Sequence, residues 1–127
     1  MEAHAAGTDI IIKEGLANGR ALLHPKLLEL SQKLNCSPDQ LALGAILAQP
    51  FEPRVLSGAV TIEQLRSNLG ALCSIDGEDN GVAESAQGVA ERLTSTNEGM
   101  SVLKDLMEGC CMKSEEYWKD RSALKWN

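Results

Sequence analysis

The sequence predicts an α/β fold in which short parallel strands are covered by helices. Residues 9–12, DIII, contain a β-branched run without alternation, and residues 54–56 form a second short segment of strand character. Strands that are apolar on both faces are typical of parallel sheets with helices on each side. Segments with helical periodicity separate these two runs and follow the second one, which is the order expected of parallel strands joined by helices.

The segment after the first strand, KEGLANGR, is rich in Gly and Asn and predicts a loop at the C-terminal end of that strand. A helix is then expected to begin at Pro25, because proline is well tolerated in the first helical turn. Asn35 is a suitable residue to end it. Its apolar stripe, which we expect to face the core, comprises Leu27, Leu30 and Leu34.

The next helix has strong sequence signals at its start. Ser37 is placed to cap it, Pro38 suits its first turn, and Gln40 stands where it completes a capping box. Residues 41–47 are almost all apolar or small. We therefore expect this helix to be largely buried.

A third helix is predicted after the second strand. Thr61 is placed to cap it, and Gln64 stands at the capping-box position. The apolar residues of this helix recur at helical spacing, which predicts a buried stripe. That stripe comprises Ile62, Leu65, Leu69 and Leu72.

The sequence changes character after Cys73. Residues 74–81, SIDGEDNG, are acidic and rich in turn formers, so we expect a surface loop. Ser114 is placed to cap a short final helix that precedes an extended tail. Three of the four aromatic residues lie in the last eleven positions, and we expect this tail to pack on the rest of the chain. Two further helices are expected between loop and tail, one with Val82, Ala86, Val89 and Leu93 on its apolar face and one with Leu103, Leu106, Met107 and Cys110.

Composition excludes several classes of function. The net charge is −6 and there is no basic cluster, which argues against binding to nucleic acid or to an anionic membrane. No apolar run approaches the length of a membrane span. The N-terminus has the features of neither a secretory signal nor a transit peptide. We therefore expect a cytoplasmic protein, with an organellar leader upstream of Met1 left open as an alternative.

The cysteines and histidines form no recognisable catalytic or metal pattern. The four cysteines include no CxxC, and the two histidines lie far from them in the sequence, so we expect reduced thiols and no zinc site. His4 and His24 have no sequence context that would make them catalytic. The motifs GxSxG and GxGxxG and the P-loop do not occur, and the acidic residues at 76–79 lack the calcium-loop pattern.

One long stretch resembles the aldo-keto reductase superfamily. LALGAILAQPFEPRVLSGAVTIEQLRSNLGAL, residues 41–72, is similar to the helix, strand, small-residue turn and helix that end the barrel of that family. GTDIIIKEGLANGR, residues 7–20, is similar to the strand and loop before them, and EEYWKDRSALKWN resembles the C-terminal tail of some members. The resemblance covers residues 5–72 closely and residues 114–127 less closely.

The resemblance implies a partial (β/α)8 TIM barrel, namely the C-terminal portion with two parallel strands and several helices. It implies NADP(H) as cofactor and a small carbonyl compound as substrate of the complete enzyme. In the family, the turn after the last strand and the start of the next helix hold the adenine and the 2′-phosphate. The matching positions here are Gly58, Ala59, Val60, Gln64, Ser67 and Asn68.

The chemistry of these positions suits such a role. Small residues in the turn let backbone N–H groups approach a phosphate, and the helix start adds positive partial charge. Gln64 and Asn68 lie one helical turn apart, where both side chains can reach one ligand. The structural alternatives are that Thr61 and Gln64 only cap the helix, that Gly58 only serves the turn, and that Asn68 bonds to a neighbouring loop.

The sequence departs from the family pattern around the turn. Ala59 stands where many members have Ser or Thr, and Ser67 stands where Glu is common. Neither Gly58 nor Gln64 is basic, although some members place Lys or Arg there for the 2′-phosphate. Arg66 replaces them only if its direction allows it.

The loop after the first strand also departs from the family pattern. Lys13 stands where many members have a Tyr that stacks on nicotinamide. Glu14, Leu16 and Asn18 stand where loop residues contact the pyrophosphate and ribose. A carboxylate at Glu14 repels phosphate unless it turns away.

The family's catalytic Asp, Tyr, Lys and His belong to earlier strands that have no counterpart here, and the only tyrosine is Tyr117 in the tail. We therefore expect residues 1–76 to be the C-terminal part of such a barrel and residues 77–127 to be a helical extension. Alone, the chain is expected to be inactive and to bind little cofactor. The hypotheses left open are a truncated oxidoreductase, a non-catalytic interaction module whose sheet edge pairs with another chain, and an enzyme completed by a partner chain.

Overall fold

The computed structural model describes residues 2–73, 87–110 and 112–123. Within these ranges the chain is mostly helical, with seven α-helices and one small parallel sheet, so the predicted α/β class is confirmed. None of the helices in the described ranges combines the length and the apolar character that crossing a bilayer requires.

The elements follow one another in a simple order. The two strands are β1 (Ile11–Ile12) and β2 (Arg54–Val55), and two 3-10 turns, Ala17–Gly19 and Ala21–Leu23, follow β1. The helices are α1 (Glu2–Ala5), α2 (Pro25–Lys33), α3 (Pro38–Leu47), α4 (Ile62–Leu69), α5 (Val89–Ser95), α6 (Asn97–Gly109) and α7 (Ser114–Ser122).

The two strands pair in parallel, as predicted. Ile11 lies opposite Arg54 and Ile12 opposite Val55. The backbone N–H of Arg54 donates to the Ile10 carbonyl at 2.8 Å, and the N–H of Leu56 donates to the Ile12 carbonyl at 2.9 Å. The expectation that both faces are covered is wrong for Ile11, which is 61% exposed, whereas Ile12 and Val55 are partly buried.

The predicted starts of α2 and α3 are confirmed. Pro25 begins α2 and Pro38 begins α3, and Asn35 ends the α2 segment with a positive φ of 50°. The Oε1 atom of Gln40 accepts a hydrogen bond from the Ser37 N–H at 3.1 Å, as a capping box requires. The residues of α3 from Leu41 to Ala45 are buried, as its apolar composition predicts.

A single apolar core joins helices from both halves of the chain. α3 lies at its centre, with α2 and α5 against it and α6 beyond. Gly44 of α3 permits close packing with α5, because a Cβ atom built there would lie only 2.9 Å from Val89 Cγ1. The buried members of this core are Leu27, Leu30, Leu34, Leu41, Ala42, Ala45, Val89, Leu93, Val102 and Leu106.

The predicted buried stripe of α4 is wrong. Ile62, Leu65, Leu69 and Leu72, which we call the α4 stripe, have exposed fractions from 37% to 66%. The helix instead turns Asn68 and Ala71 inward. Two backbone hydrogen bonds fix this orientation, because Val89 N–H donates to the Gly70 carbonyl and Ala90 N–H to the Ala71 carbonyl, at 3.2 Å and 2.9 Å.

The helix predicted with Val82 and Leu93 on one face is also wrong in its extent. Gln87 pairs with Cys73 in an antiparallel bridge, and Gly88 is the N-cap of α5, so no helix runs through these two residues. Gly88 fits because a Cβ built there would lie 2.2 Å from the Leu72 carbonyl carbon. Backbone pairing between the end of α4 and the start of α5 therefore overrides the helical pattern.

The predicted apolar face of α6 is confirmed for Leu106, which is buried, and for Leu103 and Cys110, which pack against the core. It is wrong for Met107, which is 52% exposed, and it omits Val102, which is buried. A Cβ built on Gly99 would lie 1.9 Å from the Arg92 carbonyl oxygen. This close approach of α6 to the backbone of α5 turns Gly99 and Val102 toward the core.

The final helix begins one residue earlier than predicted. The sequence predicts Ser114 as its N-cap, but Lys113 is the N-cap and Ser114 is the first helical residue. Several predictions lie outside the described residues. They concern the loop at 74–81, the positions of Val82 and Ala86, the thiol of Cys111 and the tail at 124–127, which includes Trp126.

Replacement of two leucines tests the observed core against the predicted one. We expect Leu93→Ala to lower the free energy of unfolding by about 3 kcal/mol, because Leu93 is fully buried. We expect Leu65→Ala to cost less than about 1 kcal/mol, because Leu65 is 47% exposed. Urea unfolding followed by circular dichroism measures both. Equal losses from the two variants would contradict the observed orientation of α4.

Candidate functional site

A groove of about 810 Å³ lies beyond the C-terminal ends of both strands. Its walls are the loop after β1, the turn after β2, the first residues of α3 and one side of α4. Crevices at the carboxyl ends of parallel strands are common ligand sites in α/β folds. The structure places all of the predicted cofactor positions along this groove, namely Gly58, Ala59, Val60, Gln64, Ser67 and Asn68.

The turn at residues 57–60 is built by its own hydrogen bonds. Gly58 has a φ of 67°, which glycine adopts without strain. The Ala59 N–H donates to Ser57 Oγ at 3.0 Å, and the Val60 N–H donates to Gln64 Oε1 at 2.9 Å. The turn therefore has a defined shape without a ligand.

Asn68 and Gln64 tie this turn to α4. Asn68 is 91% buried by accessible surface, with 9% exposed, and its Nδ2 donates to the Ser57 carbonyl at 3.4 Å. Thr61 Oγ1 accepts from the Gln64 N–H at 3.2 Å, so the predicted cap of α4 is confirmed. The side chain of Gln64 bonds to Val60 N–H, one residue before the N-cap. Both amides thus hold the turn in place. Asn68 bonds to a neighbouring loop, as its structural alternative anticipated, whereas the predicted capping box is wrong for Gln64, whose side chain accepts from Val60 N–H and not from the N-cap.

Ser67 connects the groove to the cap of α3. Its Oγ lies 3.3 Å from Ser37 Oγ, and either hydroxyl can donate. Because Ser37 is also the N-cap of α3, this contact fixes the distance between α3 and α4. Ser67 therefore lines the groove with a polar neighbour of its own.

The charged residues that line the groove are mostly acidic. Among the described residues of the lining, Lys13 is the only basic one, and Glu14, Asp39 and Glu63 are the acidic ones. Hydrogen bonds from the backbone N–H of Glu63 and from the Thr61 hydroxyl lower the pKa of the Glu63 carboxyl, with partial desolvation opposing them and the Arg66 charge adding to them. Glu63 is therefore ionised at neutral pH.

Glu14 lines the groove, and its carboxylate is paired with residues of α7. Its Oε2 atom is paired with the Arg121 guanidinium and accepts a hydrogen bond from Tyr117 Oη at 3.2 Å. The hydrogen bond from Arg121 is the main reason that the pKa of Glu14 lies below its ordinary value, and the same bond raises the pKa of Arg121. The resemblance places the Glu14 carboxylate near the pyrophosphate of the cofactor. In the structure this carboxylate is paired with the positive charge of Arg121 on α7.

The packing of the aromatic tail is confirmed in part. Tyr117 is half-buried, with the Arg20 guanidinium carbon 5.9 Å from its ring centroid. Trp118 contacts the Tyr117 ring edge-on but remains 59% exposed. A second, smaller groove of about 460 Å³ lies beside these rings, on the other side of the loop after β1.

Cys110 and His24, which no sequence motif connects, are in contact. Cys110 Sγ lies 3.4 Å from His24 Nδ1, although the two are distant along the chain. Burial raises the pKa of the Cys110 thiol, and the nearby Lys26 charge only partly offsets this effect. The thiol is therefore protonated at neutral pH, and we assign it no role as a nucleophile. No local sequence pattern indicates this contact, because it depends on how α6 packs against α2.

Within the part of the chain that the structure describes, no three His, Cys, Asp or Glu side chains are grouped to hold a metal ion. Cys36, Cys73 and Cys110 are free thiols. His4 lies exposed on α1. The groove at the strand ends, with a volume of about 810 Å³, is the site that we consider for a ligand.

Comparison with known proteins identifies no relative: no family model matches the chain, and no curated protein or solved structure is detectably similar to it.

The pairing of Glu14 with Arg121 predicts a specific dependence of stability on pH. Because the folded-state pKa of Glu14 is depressed, its contribution is present above the unfolded pKa of about 4.3 and is lost as the pH falls through the folded pKa. Wild-type protein should therefore lose more stability on acidification than Glu14→Gln. Urea midpoints at a series of pH values between neutral and about 3 measure this difference.

Glu115→Gln is the matched control, because Glu115 is an exposed carboxylate on α7. It should retain the wild-type pH profile. A Glu14→Gln profile that parallels the wild-type profile would show that the pair with Arg121 contributes nothing in solution.

Proposed function

We propose that this chain carries the adenosine end of a nicotinamide dinucleotide site of aldo-keto reductase type. The resemblance implies NADP(H) as the dinucleotide and the reduction of a small carbonyl compound as the reaction of the complete enzyme. The observation that carries the proposal is the groove at the strand ends, along which all six matching positions lie. Positions chosen by a sequence resemblance need not share one groove, and here they do.

The groove has the size and lining that an adenosine group requires. Its volume of about 810 Å³ falls in the range of known ligand pockets. Aliphatic side chains along it, including Leu16, Leu56 and Val60, offer apolar surface to an adenine ring. The hydroxyl of Ser67 and the amide oxygen of Asn68 offer polar atoms for its nitrogens. Because Glu14 is paired with Arg121, its negative charge would repel a bound pyrophosphate less strongly.

Binding, rather than chemistry, is the role that we assign to these residues. The nicotinamide would supply the hydride, and the family's proton donor has no counterpart among the matching positions. Lys13, at the strand-end loop, is placed where the family puts a stacking ring, and an ammonium group cannot replace that stacking. Carbonyl reduction would therefore need groups from another segment or from a partner chain that completes the barrel.

A blocking substitution tests the groove. Because the groove is open to solvent, we expect a dissociation constant for NADPH or NADH on the order of 0.1–1 mM. Ala59→Trp should weaken binding by at least about 10-fold, since the indole would fill the groove beside Gly58. Chemical-shift perturbation in NMR spectra of the labelled full chain measures both affinities.

Ala5→Trp is the matched control, because Ala5 is exposed on α1 and away from the groove. It should bind as the wild type does. The proposal would be refuted by absence of binding at millimolar nucleotide, or by equal affinities for wild type and Ala59→Trp.

A second candidate function is that of an interaction module, and one observation favours it. The α4 stripe exposes four large aliphatic side chains, three on α4 and Leu72 just after its end. Exposed apolar patches commonly mark sites of protein association. The partner expected from the resemblance is a chain whose own strands and helices cover this stripe and the open edge of the sheet. A second copy of the chain is the simplest partner with such elements.

Sedimentation at several salt concentrations tests this candidate. The net charge of −6 on each copy opposes self-association at low salt, and screening reduces this repulsion. The module therefore predicts association that grows with salt and is abolished by Leu65→Lys. Met100→Lys, at a position with a similar exposed fraction of 48% on α6, should leave association intact. A wild-type chain that stays monomeric at all salt concentrations would exclude the second copy as partner.

A further inference from the structure

The start of α4 already contains an anion. Glu63 lines the groove and is the acidic residue in the first turn of α4. This turn is the helix N-terminus, where unpaired N–H groups and the helix dipole favour negative charge. A phosphate that approached this end of α4 would therefore meet a carboxylate in the position that a phosphate would prefer.

The backbone donors of the neighbouring turn are also engaged. Ala59 N–H is bonded to Ser57 Oγ, Val60 N–H to Gln64 Oε1, and Gln64 N–H to Thr61 Oγ1. A phosphate group in this turn would have to displace an internal acceptor for each N–H bond that it gained. A hydrogen bond to a phosphate is stronger than the neutral bond that it would replace, but the displaced acceptor would lose its partner, and this loss offsets part of the gain.

The charge along the groove acts in the same direction. Of the three acidic residues of the lining, Glu14 is paired with Arg121, and Asp39 and Glu63 share the described part of the lining with one basic residue, Lys13. A phosphate monoester carries a charge of about −1.5 to −2 at neutral pH. A 2′-phosphate would therefore add negative charge to a lining that is already mostly acidic.

We propose that the groove selects an adenine nucleotide without a 2′-phosphate, so that it prefers NAD(H) to NADP(H), and that Glu63 is the specificity-determining residue. This inference rests on the proposed function, because it concerns the same groove. It replaces the cofactor that the family resemblance implies with the one that the charges in the groove favour.

A carboxylate discriminates between these two nucleotides by a simple mechanism. Ionised oxygens accept hydrogen bonds only, so Glu63 can bind a ribose hydroxyl, which donates. It cannot bind a phosphate dianion, which offers no proton and adds a like charge at short range. Discrimination therefore arises from attraction to the hydroxyl and from repulsion of the phosphate together.

Adenosine nucleotides isolate this part of the site. 5′-AMP and adenosine 2′,5′-bisphosphate differ only in the 2′-phosphate, and NAD and NADP differ in the same group. We expect the wild-type full chain to bind the member of each pair without the 2′-phosphate more tightly by about 10-fold. Glu63→Gln should reduce this ratio by at least about 5-fold, chiefly through tighter binding of the phosphorylated member. NMR titration measures all four affinities.

Glu98→Gln is the matched control, because Glu98 is an exposed carboxylate in the first turn of α6 and does not line the groove. Its nucleotide ratio should equal that of the wild type. Equal urea midpoints for the three proteins would show that the ratio does not reflect a change in folding.

Each other outcome overturns a different statement. Tighter binding of the 2′-phosphorylated nucleotides by the wild type, or an unchanged ratio in Glu63→Gln, would overturn the inference while the proposed function stands. If none of the four nucleotides binds at millimolar concentration, the proposed function is overturned, and the inference with it.

Discussion

Parallel pairing of β1 with β2 is the interaction on which the groove depends. Two backbone hydrogen bonds, from Arg54 to Ile10 and from Leu56 to Ile12, place the ends of both strands side by side. The loop that follows β1 can then meet the turn that follows β2. Gly15 lets this loop pass close to α3, since a Cβ built there would lie 2.9 Å from the Ile46 side chain. The two-residue strands are stable in this position because the buried helix α3 supports them.

Side chains of α4 and α7 then determine the chemistry of the groove. Asn68 and Gln64 give the turn at 57–60 its shape, and Arg121 pairs with the Glu14 carboxylate. The consequence is a site in which polar groups are largely satisfied within the protein. Such a site recognises ligands by shape and by a few remaining acceptors, rather than by a concentration of positive charge.

Local sequence signals were sufficient for the elements that depend on local physics. The starts of α2 and α3 and the cap of α4 follow from Pro25, Pro38 and Thr61, whose roles require only neighbouring residues. The six positions that the resemblance singled out line one groove, and their role in cofactor binding stays a prediction. The parallel order of the strands followed from their apolar, non-alternating composition.

Features that depend on distant contacts could not be predicted in the same way. The α4 stripe has a regular helical spacing, yet backbone bonds to Val89 and Ala90 turn it outward. The rotation of α6 depends on the approach of Gly99 to Arg92, which no local pattern reveals. The partners of Glu14 and His24 lie on α7 and at the end of α6, so their pairing is a property of the packed chain.

Intermolecular nuclear Overhauser effects between an adenine nucleotide and the methyl groups of the full chain test the central claim most directly. If the groove holds the adenosine end, the adenine protons of bound 5′-AMP should show effects to the methyls of Leu56 and Val60, which line the groove. They should show none to Val102, which is buried in the core. Effects confined to methyls outside the groove, under conditions in which binding is observed, would contradict the assignment of this groove as the nucleotide site.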